Sequence, residues 1–292
     1  MDLRLPDSLE RIRSVDGGPE WVAALPRLVG DAVDRWSLRI VGDPFPGSYV
    51  SLVMPVTRHD EPAMLKIQFP HDESEHEAEA LRVWDGDGAV RLLGHEPDLF
   101  ALLIEPCHPG DHLADAGPEV ALEVLIGLLP RLWVAADGPF RSLDEEARGW
   151  IEDIPAAWER VRRSVERRLI DAAVDALTGV IGGSSAVLLH QDLHGHNVLR
   201  ATREPWLAID PKPLVGDRAF SVAPIVRSYE LGHSEAEVLE RFDRLVDALD
   251  LDSTRAAAWT IGQTIAWAFD GDRVLENHVD TARWLIEHRW GE

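Results

Sequence analysis

Cysteine and lysine are both scarce in this 292-residue chain, and each shortage narrows what it can be. There is one cysteine, Cys107, so no disulfide can form within the chain, as expected of a protein in a reducing compartment. Lysine is almost as scarce: of 29 basic residues only Lys66 and Lys212 are lysine. Where arginine fills nearly every basic position, a lysine marks a place that needs a compact ammonium on a flexible stem. No apolar run reaches the roughly 18 residues of a membrane-spanning helix. The opening MDLRLPDSLERIRSV carries charge throughout and has no apolar h-region of a secretory signal. These absences together lead to the expectation of a cytoplasmic protein. Positive charge is short as well, with 52 acidic residues against the 29 basic ones and a formal charge of −23. Such a balance repels nucleic-acid phosphates and anionic lipid and suits a cationic small molecule. An acidic surface kept for solubility explains the same number, so the charge permits a cationic ligand without identifying one.

What is present changes texture along the chain. Residues 5–36 read as a helical N-terminal segment, with apolar residues at helical spacing in PEWVAALPRLVGDAVDRW. WSLRIVGD, YVSLVMPVT and PAMLKIQF then read as three antiparallel strands, separated by the turn sequences DPFPGS and RHDEP. HDESEHEAEALRVW opens a helix with acid in its first turn, as the helix dipole prefers. GAVRLLG and LFALLIE complete five strands and one helix by residue 105. PCHPG reads as a hinge at residues 106–110. Beyond it the pattern is helical, over 118–136, 144–180, 217–230, 234–249, 252–270 and 275–290, with one β island at 186–215. The expected fold class is α+β, with a β-rich N-lobe over 1–105 and a larger helical C-lobe over 111–292.

The densest chemistry lies in HQDLHGHN, His190 to Asn197. As a metal site, His190, Asp192, His194 and His196 alternate and would share one face of a strand. A glycine in the middle makes a poor strand, and no further Cys or His cluster supplies a second shell. As a catalytic loop, H-x-D-L-x-x-x-N has the spacing of the protein-kinase loop, in which the aspartate takes the proton of the attacking hydroxyl and the asparagine holds Mg²⁺. The chemistry explains that spacing, because one short loop aims a carboxylate at the nucleophile and returns a hard amide oxygen towards the phosphates. A second metal carboxylate should follow at a strand end, and WLAIDPK supplies Asp210. A phosphate-gripping lysine should lie on the third strand, where AMLKI places Lys66. Its carboxylate partner belongs on the next helix. Glu77, four residues before Leu81, is preferred there, and Glu79 is the alternative. Gly47 and Ser48, in the loop between the first two strands, are placed to offer backbone N–H groups to phosphate.

With these elements in this order the chain resembles the aminoglycoside phosphotransferase family, relatives of the protein kinases. The branch it looks most similar to contains the streptomycin 6-phosphotransferases and hydroxyurea phosphotransferases. The carrying residues are LLHQDLHGHNVLR, WLAIDPKPLVGD, AMLKI and EAEALRVWDGDGAVRLL with the following ALLIE. The resemblance implies a bilobal protein-kinase-like fold, with Asp192 as catalytic base, Asn197 and Asp210 as Mg²⁺ ligands, Lys66 as the phosphate lysine and Glu77 as its partner. It makes His190 a structural histidine of the loop and Asp217 a structural anchor. One departure is Gln191, where the family usually has glycine between the loop's histidine and aspartate. Lys212, two residues past Asp210, is open between a phosphate contact and a surface position.

The expected activity is transfer of the γ-phosphoryl of ATP or GTP to a hydroxyl of an aminocyclitol antibiotic, streptomycin first, with resistance as the outcome. Hydroxyurea or another metabolite is the alternative acceptor, and a non-catalytic ligand-binding relative or a zinc hydrolase are rivals of a different class. Carboxylates and aromatic walls for a guanidinium-bearing substrate are sought at Glu230, Asp270, Trp259 and Trp267. No nucleic-acid or membrane partner is expected, and a monomer is favoured.

Overall fold

The computed structural model describes residues 3–47, 50–183 and 186–290. The chain folds as two units, Met1–Gly110 with Arg200–Leu207, and Asp111–Leu199 with Ala208–Glu292. The first is built on a sheet and the second on helices, an α+β protein as expected. The expected boundary gave all of 111–292 to the second lobe, but residues 200–207 depart from it. The cause is Arg203, whose guanidinium donates to Glu105 from Nε and Nη2 (2.8 and 3.0 Å) and to the carbonyls of Gly86 and Ala89 (2.8 and 3.0 Å). Among the described residues no helix is long and apolar enough to cross a membrane.

In the first unit the N-terminal segment is two pieces, a 3-10 stretch Asp7–Ser14 and helix α1 (Gly18–Trp36). Gly17 takes φ +75°, and a Cβ on Gly18 would lie 1.7 Å from the Ile12 carbonyl oxygen, so the chain can turn back tightly here only because neither residue has a side chain. Strands β1 (Leu38–Ile40), β2 (Ser51–Arg58), β3 (Glu61–Gln68), β4 (Leu92–Glu96) and β5 (Ala101–Ile104) form, among the described residues, one antiparallel sheet in the order β1-β2-β3-β5-β4. Strand periodicity separates its faces. Leu52, Met54, Val56, Ala63, Leu65 and Ile67 pack with Trp21, Leu25, Leu28 and Val29 of α1 into one apolar cluster. Lys66 and Gln68 alternate onto the other face and are buried nonetheless. In the register, Lys66 stands between Val53 and Leu102. Helix α2 (Glu77–Trp84) begins later than the acidic run suggests, because Ser74 turns the chain by donating to the carbonyls of Phe69 and His71 (3.1 and 2.9 Å).

Beyond residue 110 the elements are α3 (Pro118–Leu132), β6 (Arg141–Ser142), α4 (Leu143–Arg160), α5 (Arg167–Val180), β7 (Ala186–Leu189), β8 (Val198–Arg200), β9 (Trp206–Ala208), β10 (Leu214–Asp217), α6 (Ala223–Val226), α7 (Glu235–Ala248), α8 (Ser253–Ala266), β11 (Phe269–Asp270), β12 (Arg273–Val274) and α9 (Glu276–Arg289), all of them in the second unit except parts of β8 and β9. The outer end of the β8–β9 hairpin is the 200–207 segment that belongs to the first unit. The centre of the second unit is α8, in which every residue from Ala256 to Ile265 is buried, as expected of a helix packed on all sides. It packs against α4, α5, α6 and α9. Strand β10 pairs with β7 antiparallel and with β6 parallel, which fixes the strand from which the loop after β7 departs.

Three helical expectations need correction. The stretch 144–180 is broken at 161–166, where Arg162 and Arg163 adopt positive φ and Trp158 Nε1 donates to the Val165 carbonyl at 2.8 Å. The stretch 217–230 is a chain of short turns around α6 rather than one helix. The end of 252–270 leaves α8 at Ala266 and enters the β11–β12 hairpin.

Candidate active site

In the first unit, Lys66 Nζ donates to Glu77 Oε2 at 2.6 Å, and Gln68 Nε2 donates to the same oxygen at 2.7 Å. The Lys66 and Glu77 side chains are 5% and 2% exposed, so an ammonium and a carboxylate sit together away from water. Burial of either charge alone is costly, and the pair is what makes both tolerable. Glu79 instead accepts from Arg82 at 2.8 Å on a more exposed face. Gly47 has φ +104°, and its N–H lies 3.4 Å from the Ser8 hydroxyl oxygen. Ser48 lies outside the described residues.

In the second unit, the loop after β7 is bolted to the segment after β9 by His190. Its carbonyl accepts from the N–H groups of Asp192 (2.8 Å) and Lys212 (3.0 Å). Its Nε2 lies 2.9 Å from the Ile209 carbonyl, so that nitrogen carries the proton. The Ile209 N–H in turn donates to the Asn197 carbonyl at 2.9 Å. These bonds tie Asp192, Asn197 and Asp210 to one frame. Asn197 Nδ2 donates to the Asp192 carbonyl at 2.8 Å, leaving Oδ1 as an oxygen donor. Asp210 takes φ +57°, a conformation that aspartate tolerates better than most residues and that collects at functional sites. An amide oxygen and a carboxylate are the hard ligands Mg²⁺ takes when it keeps waters and phosphate oxygens for its other positions.

Asp192 is the centre of charge. Lys212 Nζ stands 3.2 Å from Oδ2, and Arg227 Nη2 donates to Oδ1 at 3.2 Å. Burial by itself would raise the carboxyl pKa, but the two cations overcome it and hold the group well below the usual carboxylate range. Both cations rest on the ring of Trp267, at 5.1 Å for Lys212 and 4.3 Å for Arg227. Arg227 is further held by Gln263 Oε1.

The remaining candidates fall into different places. Glu230 Oε1 accepts from the Gly195 N–H at 3.2 Å and lies 3.1 Å from His194 Nδ1. A carboxylate only accepts, so that nitrogen is the protonated one. Burial opposes ionisation of Glu230, and the bond and charge of His194 prevail, holding its pKa at about 2. Glu230 therefore braces the loop, and a Cβ on Gly195 would press to 3.0 Å from the Ala114 backbone. Trp267 is the floor beneath two cations rather than an open wall, and Asp270 sits exposed in the β11–β12 hairpin opposite Arg273. Trp259, sought as a wall, is fully buried and donates to Asp217 Oδ2 at 3.0 Å. That oxygen also accepts from Arg255 Nε at 2.7 Å, and Oδ1 accepts from the Ala219 N–H, which makes Asp217 an anchor for the turn after β10. The zinc arrangement is not formed: His190 faces the Ile209 carbonyl and His194 faces Glu230, and among the described residues no three of His, Cys, Asp or Glu are placed to hold a metal ion. Arg227 and Gln263 were not foreseen. The one signal was a lone arginine inside the apolar run SVAPIVRSYELG.

Two local results follow from this geometry. Gln191 takes φ +64°, and neither atom of its buried side-chain amide has a hydrogen-bond partner among the described residues. Gln191→Gly removes a left-handed strain of about 1–2 kcal/mol and an unsatisfied amide of about 1–3 kcal/mol, against lost packing and about 1 kcal/mol of backbone entropy. A net gain of roughly 1 kcal/mol, or about 2–4 °C in Tm, is expected in thermal and urea unfolding, and a fall in stability refutes it. His190 and His278 are both pushed down to about 4, chiefly by burial, so each is neutral when folded and titrates near 6.5 when unfolded. Between those values the unfolded chain binds more protons, so their contribution is complete above about pH 6.5 and is lost as pH falls towards 4. Urea unfolding at pH 7.5 and 4.5 should show a drop of a few kcal/mol, and His278→Gln should flatten it.

Residues 35–272 match the family described as "Aminoglycoside/hydroxyurea antibiotic resistance kinase". The chain is 39% identical to the streptomycin 6-kinase of Streptomyces griseus over 274 residues, 90% of this chain and 89% of that one. It is 42% identical to the hydroxyurea phosphotransferase of Kitasatospora aureofaciens over 280 residues, 92% and 81% of the two chains. In fold it is similar to the crystal structure of choline kinase LicA from Streptococcus pneumoniae, with a TM-score of 0.60 at 12% identity, covering 90% of this chain and 99% of that one. A kinase-like fold, an aspartate-centred loop on a rigid frame and a match across most of the sequence agree: the chain belongs to the aminoglycoside/hydroxyurea antibiotic resistance kinase family.

Proposed function

We propose that this protein transfers the γ-phosphoryl group of ATP or GTP to a hydroxyl of a small cationic aminocyclitol antibiotic, streptomycin being the preferred acceptor, and so confers resistance. The observation that carries the reading is the frame around His190, which supports the Asp192 carboxylate, the Asn197 amide oxygen and Asp210 together. Asp192 accepts the proton of the acceptor hydroxyl. Lys66, oriented by Glu77, binds the nucleotide phosphates, and Gly47 offers them its backbone. Asn197 and Asp210 would hold Mg²⁺, which when bound neutralises charge on the phosphate oxygens. Phosphoryl transfer needs positioning and charge neutralisation rather than a covalent enzyme intermediate, so this set of groups is sufficient.

Hydroxyurea is the second reading, favoured by a relative about as similar as the streptomycin kinases. It is uncharged, so the −23 formal charge gives it no electrostatic advantage, whereas streptomycin carries guanidinium groups. Release of ADP or GDP in the presence of Mg²⁺ should depend on streptomycin and follow ordinary saturation. Release driven by hydroxyurea instead moves the acceptor to the second reading. No release with any acceptor across a panel of aminoglycosides overturns the antibiotic assignment.

A further inference from the structure

Lys212 is one of two lysines among 29 basic residues, and both stand at the chemistry described above. Its ammonium stands 3.2 Å from Asp192 Oδ2, which also accepts a long bond from Asn197 Nδ2 at 3.4 Å, while Arg227 covers Oδ1. An acceptor hydroxyl has to come within about 2.6–3.2 Å of one of those oxygens for its proton to be taken. The two cations differ in how firmly they are held. Arg227 is 8% exposed, its planar guanidinium spanning Gln263 and Asp192 over the Trp267 ring, so its direction is fixed. Lys212 is 23% exposed and meets both Oδ2 and the Trp267 ring through a point charge on a four-carbon stem, with its backbone pinned to the His190 carbonyl. The cation that can yield Oδ2 without disturbing the loop is Lys212.

We propose that Lys212 is a catalytic residue that leaves Asp192 Oδ2 when the acceptor arrives and binds the transferring phosphoryl group, while Arg227 stays on Oδ1 as a positioning residue. This rests on the kinase reading above. In the step itself a lone pair of the acceptor oxygen forms the bond to the γ-phosphorus. The bond from that phosphorus to the β,γ-bridging oxygen breaks, and its electron pair leaves on the nucleoside diphosphate. The hydroxyl proton passes to Asp192 Oδ2. Charge spreads over the three equatorial phosphoryl oxygens in the transition state, and an ammonium is most effective there. Lysine is required because a guanidinium at position 212 lacks the slender, swivelling head that can serve two oxygens in turn.

The test compares wild type, Lys212→Met, Lys212→Arg and Asp192→Asn in the full-length protein. Two quantities are read: acceptor-dependent kcat, and affinity for Mg·ADP with and without aluminium fluoride, which mimics the transferring phosphoryl. Lys212→Met should lower kcat about 100-fold, bind Mg·ADP within about twofold of wild type, and lose at least tenfold of the affinity that aluminium fluoride adds. Lys212→Arg should recover less than a tenth of the lost rate. A Lys212→Met enzyme within threefold of wild type, an unchanged gain from aluminium fluoride, or full rescue by arginine overturns the proposal, since each leaves Lys212 as a mere counter-charge. Asp192→Asn separates the two levels of inference. If it keeps wild-type turnover the kinase mechanism fails, and if it is dead while Lys212→Met is fully active only the role of Lys212 fails.

Discussion

Asp192→Asn is expected to lower kcat about 1,000-fold, with Mg-nucleotide affinity within about twofold of wild type. Asparagine fills the same space and keeps one acceptor oxygen, so Arg227 retains a partner at Oδ1. The other atom becomes an NH2 group that faces the Lys212 ammonium, donor against donor, and it cannot take a proton from a hydroxyl. The lost rate is that of general-base catalysis, and binding is spared because Asn197 keeps its 2.8 Å bond to the backbone carbonyl at position 192 while Asp210 and Lys66 are untouched. Steady-state release of nucleoside diphosphate gives the first quantity and calorimetric titration with Mg·ADP the second. Turnover within tenfold of wild type would remove Asp192 from the chemistry and leave it as a structural counter-charge for two cations.

Glu77→Ala should be the most destabilising change in the first unit. It takes the carboxylate away from an ammonium and a side-chain amide that are both buried, and breaking such a pair from one side costs about 3–5 kcal/mol. At about 2–4 °C per kcal/mol, Tm should fall by roughly 6–20 °C. The double variant Lys66→Met/Glu77→Leu is the informative control. With both charges gone and the volume nearly kept, stability should return to within about 1–2 kcal/mol of wild type, while activity stays absent for want of the phosphate lysine. Stability loss in the double variant equal to that of Glu77→Ala would mean that shape, not charge pairing, is what position 77 supplies.

The parts of this protein that were legible in its sequence are those where a physical period or a fixed chemistry leaves a mark. Short runs rich in Val, Ile and Leu, YVSLVMPVT and PAMLKIQF, bounded by the turn sequences DPFPGS and RHDEP, placed β2 and β3, and with them Lys66 on the third strand. The spacing inside HQDLHGHN follows from what a phosphoryl-transfer loop must do, so the loop and Asp210 stood out together. The break after α4 left no mark. Arg162 and Arg163 are ordinary helix formers, and their positive φ goes with a closure of the helix end in which the Arg163 N–H donates to the Trp158 carbonyl and Trp158 Nε1 to the Val165 carbonyl. Glu230 was visible as an acid near the site but not as a brace, because its partner Gly195 N–H belongs to a backbone 35 residues away. Trp259 was misplaced for a similar reason: nothing in AAAWTIGQTIA tells a helix buried on every side from one lining a pocket.

The Arg203 clasp has a consequence for how the protein is made. The first unit is not a contiguous stretch of chain, since residues 200–207 belong to it. When residues 1–110 have left the ribosome, Glu105 and the carbonyls of Gly86 and Ala89 still lack the guanidinium that will bind them. Another 97 residues separate Gly110 from Leu207, roughly 5–20 s of synthesis. Throughout that interval the first unit is short of its last segment. The first unit is therefore completed only late in synthesis, and a gene cut at the hinge leaves it without the segment that clasps it.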